Sequence, residues 1–267
     1  MTDGEFIQVQ QFVKEKIGVD LSHKRTLIEG RLEPQLARKG FSNFTEYMQH
    51  VLRDVSGKAM EEMLSILTTH HTYFWREPIH FELYRNEVLP YLKKKEALTK
   101  DLRIWSAAAS TGEEAYTLAM INMDYFGFEH DMWDTQILAT DVSKKVLEFA
   151  NRGVYSEEQL DVLPGQWKRL YFQKIDNHYY EAKEQLKNQV LFRQFNLMNP
   201  LPFRKPLHVV FLRNVMIYFE DNTKHQLLNR IVHCMESGGY LFVGTTESVD
   251  REAYGLEYVM PSVYRKK

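Results

Sequence analysis

One segment of this 267-residue chain combines a short apolar strand, a turn of small residues and a helix that opens with two glutamates. It spans residues 103–120 and reads RIWSAAASTGEEAYTLAM. Ala107 to Gly112 carry little side-chain bulk, so a ligand can approach their backbone, and the first helical turn presents unpaired N–H groups. Glu113 and Glu114 would repel a diphosphate but attract a cationic amine or sulfonium. An ordinary solvated acidic turn would look the same.

Asp141 ends the next predicted strand, 29 positions after Gly112. Open α/β sheets place an acidic residue there that accepts hydrogen bonds from ribose hydroxyls. Taken alone, Asp141 is explained equally well as a cap for the following helix, with Ser143 nearby. Combined with the acidic turn, it favours a positively charged nucleoside, S-adenosylmethionine, over a nicotinamide dinucleotide.

A third polar group follows the apolar run HVVFL at 208–212. Arg213 and Asn214 come at the carboxyl end of that predicted strand, the edge where doubly wound sheets bind ligands. Burying either side chain without partners would be costly, so a function is favoured over an ordinary surface loop. Asn196, after VLFRQF, is a similar candidate, although a turn before Pro200 would also explain it.

The elements that would position these groups follow from the hydrophobic pattern. Apolar residues three or four apart from Glu5 to about Leu67 predict a small helical domain. After Pro78, strand-like runs alternate with helical stretches, which indicates an α/β fold with a doubly wound, mostly parallel sheet. The runs LYFQKI, HYYEAK and VLFRQF predict an inserted antiparallel β-subdomain with a turn at Asp176-Asn177. The expected division is a helical domain at 1–70, a linker at 71–84 that contributes to the cofactor site, and a catalytic domain at 85–267 with the insertion at about 168–195.

Composition and charge exclude several classes of protein. The longest apolar runs are too short for a membrane span, and the N-terminus lacks the pattern of a secretory signal, so a cytoplasmic location is expected. The formal net charge is −2 with interspersed signs, which argues against nucleic-acid binding. Cys234 is the only cysteine, and the adjacent His70 and His71 would point apart, so no metal is predicted.

The sequence resembles the CheR family of chemotaxis receptor methyltransferases. The resemblance covers essentially the whole chain, including the helical front part and the inserted strands. It rests on four segments that occur in order: THHTYFWRE at 69–77, RIWSAAASTGEEAYTLAM at 103–120, ATD at 139–141 and LRNVMIYF at 212–219. A fifth segment, GYLFVGTTES at 239–248, supports them.

The resemblance implies a Rossmann-like enzyme that methylates glutamate carboxylates on chemotaxis receptors, with S-adenosylmethionine as donor and S-adenosylhomocysteine as product. Arg76 and Tyr218 would face the transfer site. The family often has Asn where this chain has His70, and Gly-His-Ser-Glu where it has Gly-Thr-Thr-Glu at 244–247. The residues that would contact the cofactor are His70, Thr72, Arg76, Glu114, Asp141, Asn196, Leu197, Asn214 and Val215.

The resemblance also implies a protein partner, the cytoplasmic domain of chemotaxis receptors. Residues 24–39 contain five basic and two acidic residues, a balance of +3 that suits acidic receptor helices. The docking candidates are Lys24, Arg25, Arg31 and Arg38, although a solvated helix face would show the same charges and Pro34 should kink or end the helix. We expect a monomer that does not insert into the membrane.

Two further expectations concern the receptor tail and the target. Some members of the family hold a flexible receptor tail through a glycine-bearing loop, where this chain has Ile175-Asp-Asn-His178, so methylation without such a tether is predicted. A methyltransferase for another target, or a sensor that binds S-adenosylmethionine without transferring methyl, would share the cofactor residues.

Overall fold

The computed structural model describes residues 1–267, and its first quarter is helical. A capping box between Thr2 and Glu5 starts the first helix, and Gly18, with φ of +75°, ends it. The second helix continues through Pro34, so this proline does not end it. The carbonyl that Pro34 leaves without a donor belongs to Gly30, which is exposed and open to water. The four helices are α1 (Asp3–Ile17), α2 (Arg25–Lys39), α3 (Phe44–Arg53) and α4 (Lys58–Leu67).

A seven-stranded sheet forms the centre of the rest of the chain. Its strands are β1 (Ile104–Ser106), β2 (Ile137–Asp141), β6 (Val190–Gln194), β7 (Leu207–Leu212), β8 (Met235–Val243), β9 (Leu256–Met260) and β10 (Val263–Lys266), in the order β6-β2-β1-β7-β8-β10-β9. The first five are parallel, and the hairpin of β9 and β10 is antiparallel. The predicted mostly parallel sheet is confirmed.

Helices cover both faces of this sheet. They are α5 (Pro78–Leu83), α6 (Leu89–Lys95), α7 (Glu113–Phe126), α8 (Lys144–Arg152) and α12 (Asp221–Cys234). Every residue of β7 is buried, as expected for a strand packed on both sides. Val209 and Phe211 belong to one core with α5, α6 and α7, while Val210 and Leu212 belong to a second core with α12. This second core is continuous with the core of the front helices.

A three-stranded antiparallel sheet lies between β2 and β6 in sequence. Its strands are β3 (Val154–Ser156), β4 (Phe172–Lys174) and β5 (Tyr179–Ala182), with β5 in the middle, and short helices α9 (Glu157–Leu160), α10 (Gly165–Tyr171) and α11 (Glu184–Lys187) adjoin it. The Asp176 carboxylate accepts hydrogen bonds from the backbone amides of His178 and Tyr179, which forms the predicted turn.

The assignment of VLFRQF to this small sheet was wrong. Those residues form β6, which pairs in parallel with β2 at the edge of the large sheet. The intervening α11 separates them from the hairpin, and the buried Val190 and Phe192 pack on the large sheet's core. The third strand of the small sheet is β3, so that sheet begins before residue 168.

No helix in the structure combines the length and the apolar composition that a membrane crossing requires.

The carboxyl ends of β1, β2 and β7 meet at one edge of the sheet because the three strands are parallel neighbours. The loops that leave those ends therefore converge, and the front helices approach the same edge.

Candidate active site

A pocket of about 450 Å³ opens at this edge of the sheet. Segments from both parts of the chain line it: the linker after α4, the loops after β1, β2, β6 and β7, and the connection between α1 and α2. All the predicted cofactor and transfer residues are among its lining, namely His70, Thr72, Arg76, Glu114, Asp141, Asn196, Leu197, Asn214, Val215 and Tyr218. The fold therefore brings together residues that lie up to 148 positions apart in the sequence.

The small-residue turn after β1 forms one wall. Gly112 has φ of +97°, and a Cβ on it would lie 2.8 Å from the Ala150 side chain, so only glycine fits this turn without strain. Ser110 donates its backbone N–H to the Asp141 carboxylate at 2.9 Å and its hydroxyl to the His70 carbonyl at 3.0 Å. The turn is thereby tied to the linker and to the end of β2.

The two glutamates after Gly112 have different environments. Glu113 is 1% exposed, accepts a hydrogen bond from the Thr111 hydroxyl at 2.7 Å and is absent from the pocket lining. Glu114 lines the pocket and accepts hydrogen bonds from the Ser106 hydroxyl at 2.7 Å and from Arg213 at 3.0 Å. Successive helical residues point about 100° apart, so only one of the pair can face the ligand. Glu114, the one of the two that was expected to contact the cofactor, is the acid at the pocket, whereas the Glu113 side chain is buried beside Thr111.

Burial raises the pKa of Glu114, and the neighbouring Arg213 guanidinium opposes that shift. Burial likewise raises the pKa of Asp141, against hydrogen bonds from the backbone of Ser143 and Ser110. Each Asp141 oxygen accepts one of these bonds at 2.9 Å, so Asp141 holds the start of α8 and also lines the pocket. A carboxylate oxygen accepts about two hydrogen bonds, which leaves capacity for ribose hydroxyls.

Two acids to which the sequence analysis assigned no role, Glu77 and Glu247, hold the residues after β7. The Arg213 side chain is 2% exposed and pairs with Glu114 and, at 3.2 Å, with Glu77. Asn214 has φ of +56°, donates its side-chain amide to Glu77 at 3.1 Å and its backbone N–H to Glu247 at 2.8 Å. Glu77 and Glu247 lie in the segments that carry the family resemblance. Their contacts join loops that are far apart in the sequence, so the spacing of residues does not predict them.

The remaining transfer-site candidates are also positioned by backbone contacts. The Arg76 guanidinium donates to the His71 carbonyl at 2.7 Å and lies over the Tyr73 ring. The Tyr218 carbonyl accepts a hydrogen bond from the Asp20 backbone N–H at 2.8 Å. Next to it, Val19 and Phe219 form an isolated antiparallel bridge. The connection between α1 and α2 therefore packs against the segment that carries Tyr218.

The predicted docking residues differ in how much of their charge is used internally. Lys24 is exposed at the pocket and makes no ion pair. Arg25 pairs with Asp3 and Glu29, and Arg38 pairs with Glu62. Arg31 donates to the carbonyls of Ile66, Leu67 and Thr68 at the end of α4.

A second cluster lies at the opposite end of the sheet, where His208 approaches Glu96 and Glu236 at 3.3 and 2.9 Å. The His208 Nδ1 accepts a hydrogen bond from the Arg103 backbone N–H, and its Nε2 faces the two carboxylates and the Arg103 guanidinium. Arg103 and Lys95 also pair with Glu236. The cluster is thus an ion-pair network in which both ring nitrogens are engaged.

Comparison with known proteins agrees with this architecture. Residues 4–68 match the model of the CheR methyltransferase all-alpha domain, and residues 70–264 match that of the CheR methyltransferase SAM binding domain. A chemotaxis protein methyltransferase of Borreliella burgdorferi is 37% identical over 100% of this chain and 95% of its own length. A probable chemotaxis protein methyltransferase of Rhizobium etli is 34% identical over 86% of this chain and 87% of its own length. The chemotaxis protein methyltransferase of Escherichia coli is 31% identical over 93% of this chain and 85% of its own length. The predicted resemblance is confirmed, and the chain belongs to the CheR methyltransferase family, with a domain that binds S-adenosylmethionine.

Proposed function

We propose that this protein methylates glutamate side-chain carboxylates of chemotaxis receptors, forming glutamyl methyl esters with S-adenosylmethionine as donor. One observation carries the proposal: Glu114, Asp141, Arg76 and Tyr218 line a single pocket that is also bordered by the exposed Lys24, directly before α2. The chemotaxis protein methyltransferases that cover nearly the whole chain support the receptor as target.

The pocket suits the donor in shape and charge. Bound there, S-adenosylmethionine supplies a methyl group on a positively charged sulfur. Glu114 and Asp141 provide negative charge and hydrogen-bond acceptors on the same wall, which fits a sulfonium nucleoside better than a diphosphate. The apolar residues Leu197 and Val215 line the same pocket and offer surface for the base. His70, Thr72, Asn196 and Asn214 are proposed to complete the contacts.

The chemistry needs positioning more than proton transfer. A glutamate carboxyl has an ordinary pKa of about 4.3, so it is ionised at neutral pH and needs no general base. A carboxylate oxygen of the substrate forms the new C–O bond while the S–CH₃ bond breaks and its electron pair stays on sulfur. Because opposite charges neutralise each other in this step, a partly dry pocket with aligned reactants accelerates it. Tyr218 is proposed to donate a hydrogen bond to the substrate carboxylate, and Arg76 to orient the substrate or donor.

The acceptor is proposed to reach the pocket past Lys24, whose charge suits an acidic receptor helix. Methylation is further proposed to be independent of a receptor-tail tether. The loop between β4 and β5 supports this, because Ile175 to His178 contain no glycine and the Asp176 carboxylate closes the turn. Titration of a receptor-tail peptide into the protein should give no measurable heat of binding, and tight binding would contradict tether independence.

Labelling distinguishes the proposed reaction from its alternatives. The protein is incubated with S-adenosylmethionine carrying a tritiated methyl group and with membranes that contain chemotaxis receptors. Label on the receptor that mild base releases as methanol identifies a carboxyl ester. Base-stable label would indicate another acceptor group, and binding of the donor without any label would indicate a sensor.

A further inference from the structure

We infer that Glu77 and Arg213 form one positioning clamp, which holds the loops of Arg76 and Asn214 at the pocket wall. The inference rests on the proposed function only for its effect on methyl transfer. Glu77 itself does not line the pocket, so it acts through its neighbours.

Glu77 connects three loops that are distant in the sequence. One of its carboxylate oxygens accepts the side-chain amide of Asn214 at 3.1 Å, after β7. The other accepts the backbone N–H of Thr245 at 3.2 Å, after β8, and lies 3.2 Å from Arg213. Burial alone would raise the pKa of Glu77, but Arg213 and the Asn214 hydrogen bond hold it below its ordinary value. The charged carboxylate is therefore the form that these loops require.

Arg213 completes the connection from the other side. Its guanidinium donates to Glu114 at 3.0 Å and to the backbone carbonyl of Arg76, and it lies 5.2 Å from the centre of the Phe81 ring. Three anchors from different segments fix the plane of the guanidinium. A buried Arg that lost its carboxylates would be an unpaired charge, so the pair acts as a unit.

The backbone at the clamp is in a conformation that needs such support. Trp75, Glu77 and Asn214 have φ of +62°, +57° and +56°, and none of them is glycine. Left-handed backbone is unfavourable at residues other than glycine and persists only where the surroundings fix it. The contacts of Glu77 and Arg213 join these strained segments, which indicates that the clamp sets where Arg76 and Asn214 lie.

Substitution Glu77→Gln tests the clamp without changing side-chain size. The glutamine amide would turn a donor toward groups that are themselves donors, so the loops of Arg76 and Asn214 should shift. Expected results are an affinity for S-adenosylhomocysteine at least 10-fold weaker by calorimetry and a kcat for receptor methylation at least 10-fold lower. Glu82→Gln, at an exposed position of α5, the helix that begins directly after Glu77, is the matched control and should stay within twofold of wild type.

A double variant separates a clamp from two independent contacts. Arg213→Lys keeps the positive charge but loses the planar, two-pronged guanidinium. The double variant Glu77→Gln with Arg213→Lys should lose little more affinity and kcat than the more affected single variant does. Additive losses would overturn the clamp, as would a lowered melting temperature with unchanged affinity and kcat. If Arg213→Lys does not fold, the affinity of Glu77→Gln decides alone. A wild-type protein that binds S-adenosylhomocysteine but does not label receptors would defeat the proposed function and leave the binding test of the clamp intact.

Discussion

At the scale of single residues, the acidic groups of the pocket differ in what they are free to do. Asp141 has a backbone amide on each oxygen, whereas Glu114 receives a hydroxyl and a guanidinium. Both are therefore oriented before any ligand arrives, which reduces the ordering cost of binding. Tyr218 differs from them, because its backbone is fixed while no hydrogen bond holds its hydroxyl. Its hydroxyl is free to donate a hydrogen bond into the pocket.

We expect Tyr218→Phe to lower kcat about 10-fold, since it removes one hydrogen bond worth about 1.4 kcal/mol from the reacting geometry. The affinity for S-adenosylhomocysteine should change less than threefold. Initial rates with receptor membranes and calorimetry give the two values. An unchanged kcat would exclude Tyr218 from the proposed mechanism.

His80 makes stability depend on pH. Burial and the nearby Arg213 disfavour its positive charge and lower its pKa from 6.5 to about 4. The unfolded chain therefore binds a proton that the folded chain does not, so the stabilisation is complete above pH 6.5 and is lost as pH falls toward 4. The free energy of unfolding should drop by about 2 kcal/mol between pH 7 and pH 5 through this residue.

Urea titrations of wild type and His80→Gln at both pH values test this. The glutamine variant should lose less stability on acidification than wild type does. His23→Gln, changed at an exposed position, should follow the wild-type pH dependence. Equal pH dependence in wild type and His80→Gln would contradict the assignment.

At the scale of elements, helix ends and turns set the shape of the pocket. Arg31 on α2 ties down the last carbonyls of α4, directly before the linker residues Thr68 to Thr72 that line the pocket. The residue predicted to dock the receptor thus has an internal structural contact. The turn at Gly112 positions the start of α7, because it lets that helix begin directly beside the end of β1.

We expect Arg31→Gln to lower the free energy of unfolding by about 1–2 kcal/mol, since it removes charge-assisted bonds to three carbonyls. Arg38→Gln should change it by less than about 0.5 kcal/mol, because the Arg38 side chain is 70% exposed. Urea denaturation measures both. Equal effects would show that the carbonyl contacts do not stabilise the protein.

Gly112→Ala should destabilise the protein by about 2 kcal/mol or more and weaken cofactor binding, since both its φ and its neighbours exclude a Cβ. Gly30→Ala is the matched control on α2, where nothing lies within 4 Å of the added carbon. That change should stabilise the protein by about 0.5–1 kcal/mol, because alanine favours helix. Melting curves that give both changes the same sign would contradict this account.

At the scale of the whole molecule, the front helices and the sheet share a core. Residues of α1 to α4 and the inner residues of β7, β8 and α12 form one continuous apolar cluster. Calorimetry should therefore show a single cooperative unfolding transition for the chain. Two separated transitions would indicate that the front helices unfold on their own.

The sequence predicted much of this arrangement because its strongest signals are local. The apolar run of β7, the turn at Gly112 and the acid at the end of β2 each predict a structural element from residues that are close together in the sequence. The place of β6 was missed because an edge strand and a hairpin strand share the same period of two, and only pairing distinguishes them. The contacts of Glu77 and Glu247 were missed because they depend on three loops meeting at one edge.

The bridge between Val19 and Phe219, with the Asp20 N–H on the Tyr218 carbonyl, has a consequence for engineering. A chimaera that exchanged residues 1–68 for those of a relative would also replace the strand partner of the segment at 218–220. Because the target is proposed to approach along the front helices, target preference and turnover should then change together. Transplanting residues 218–220 of the same relative along with its residues 1–68 should restore turnover while keeping that relative's preference among receptors.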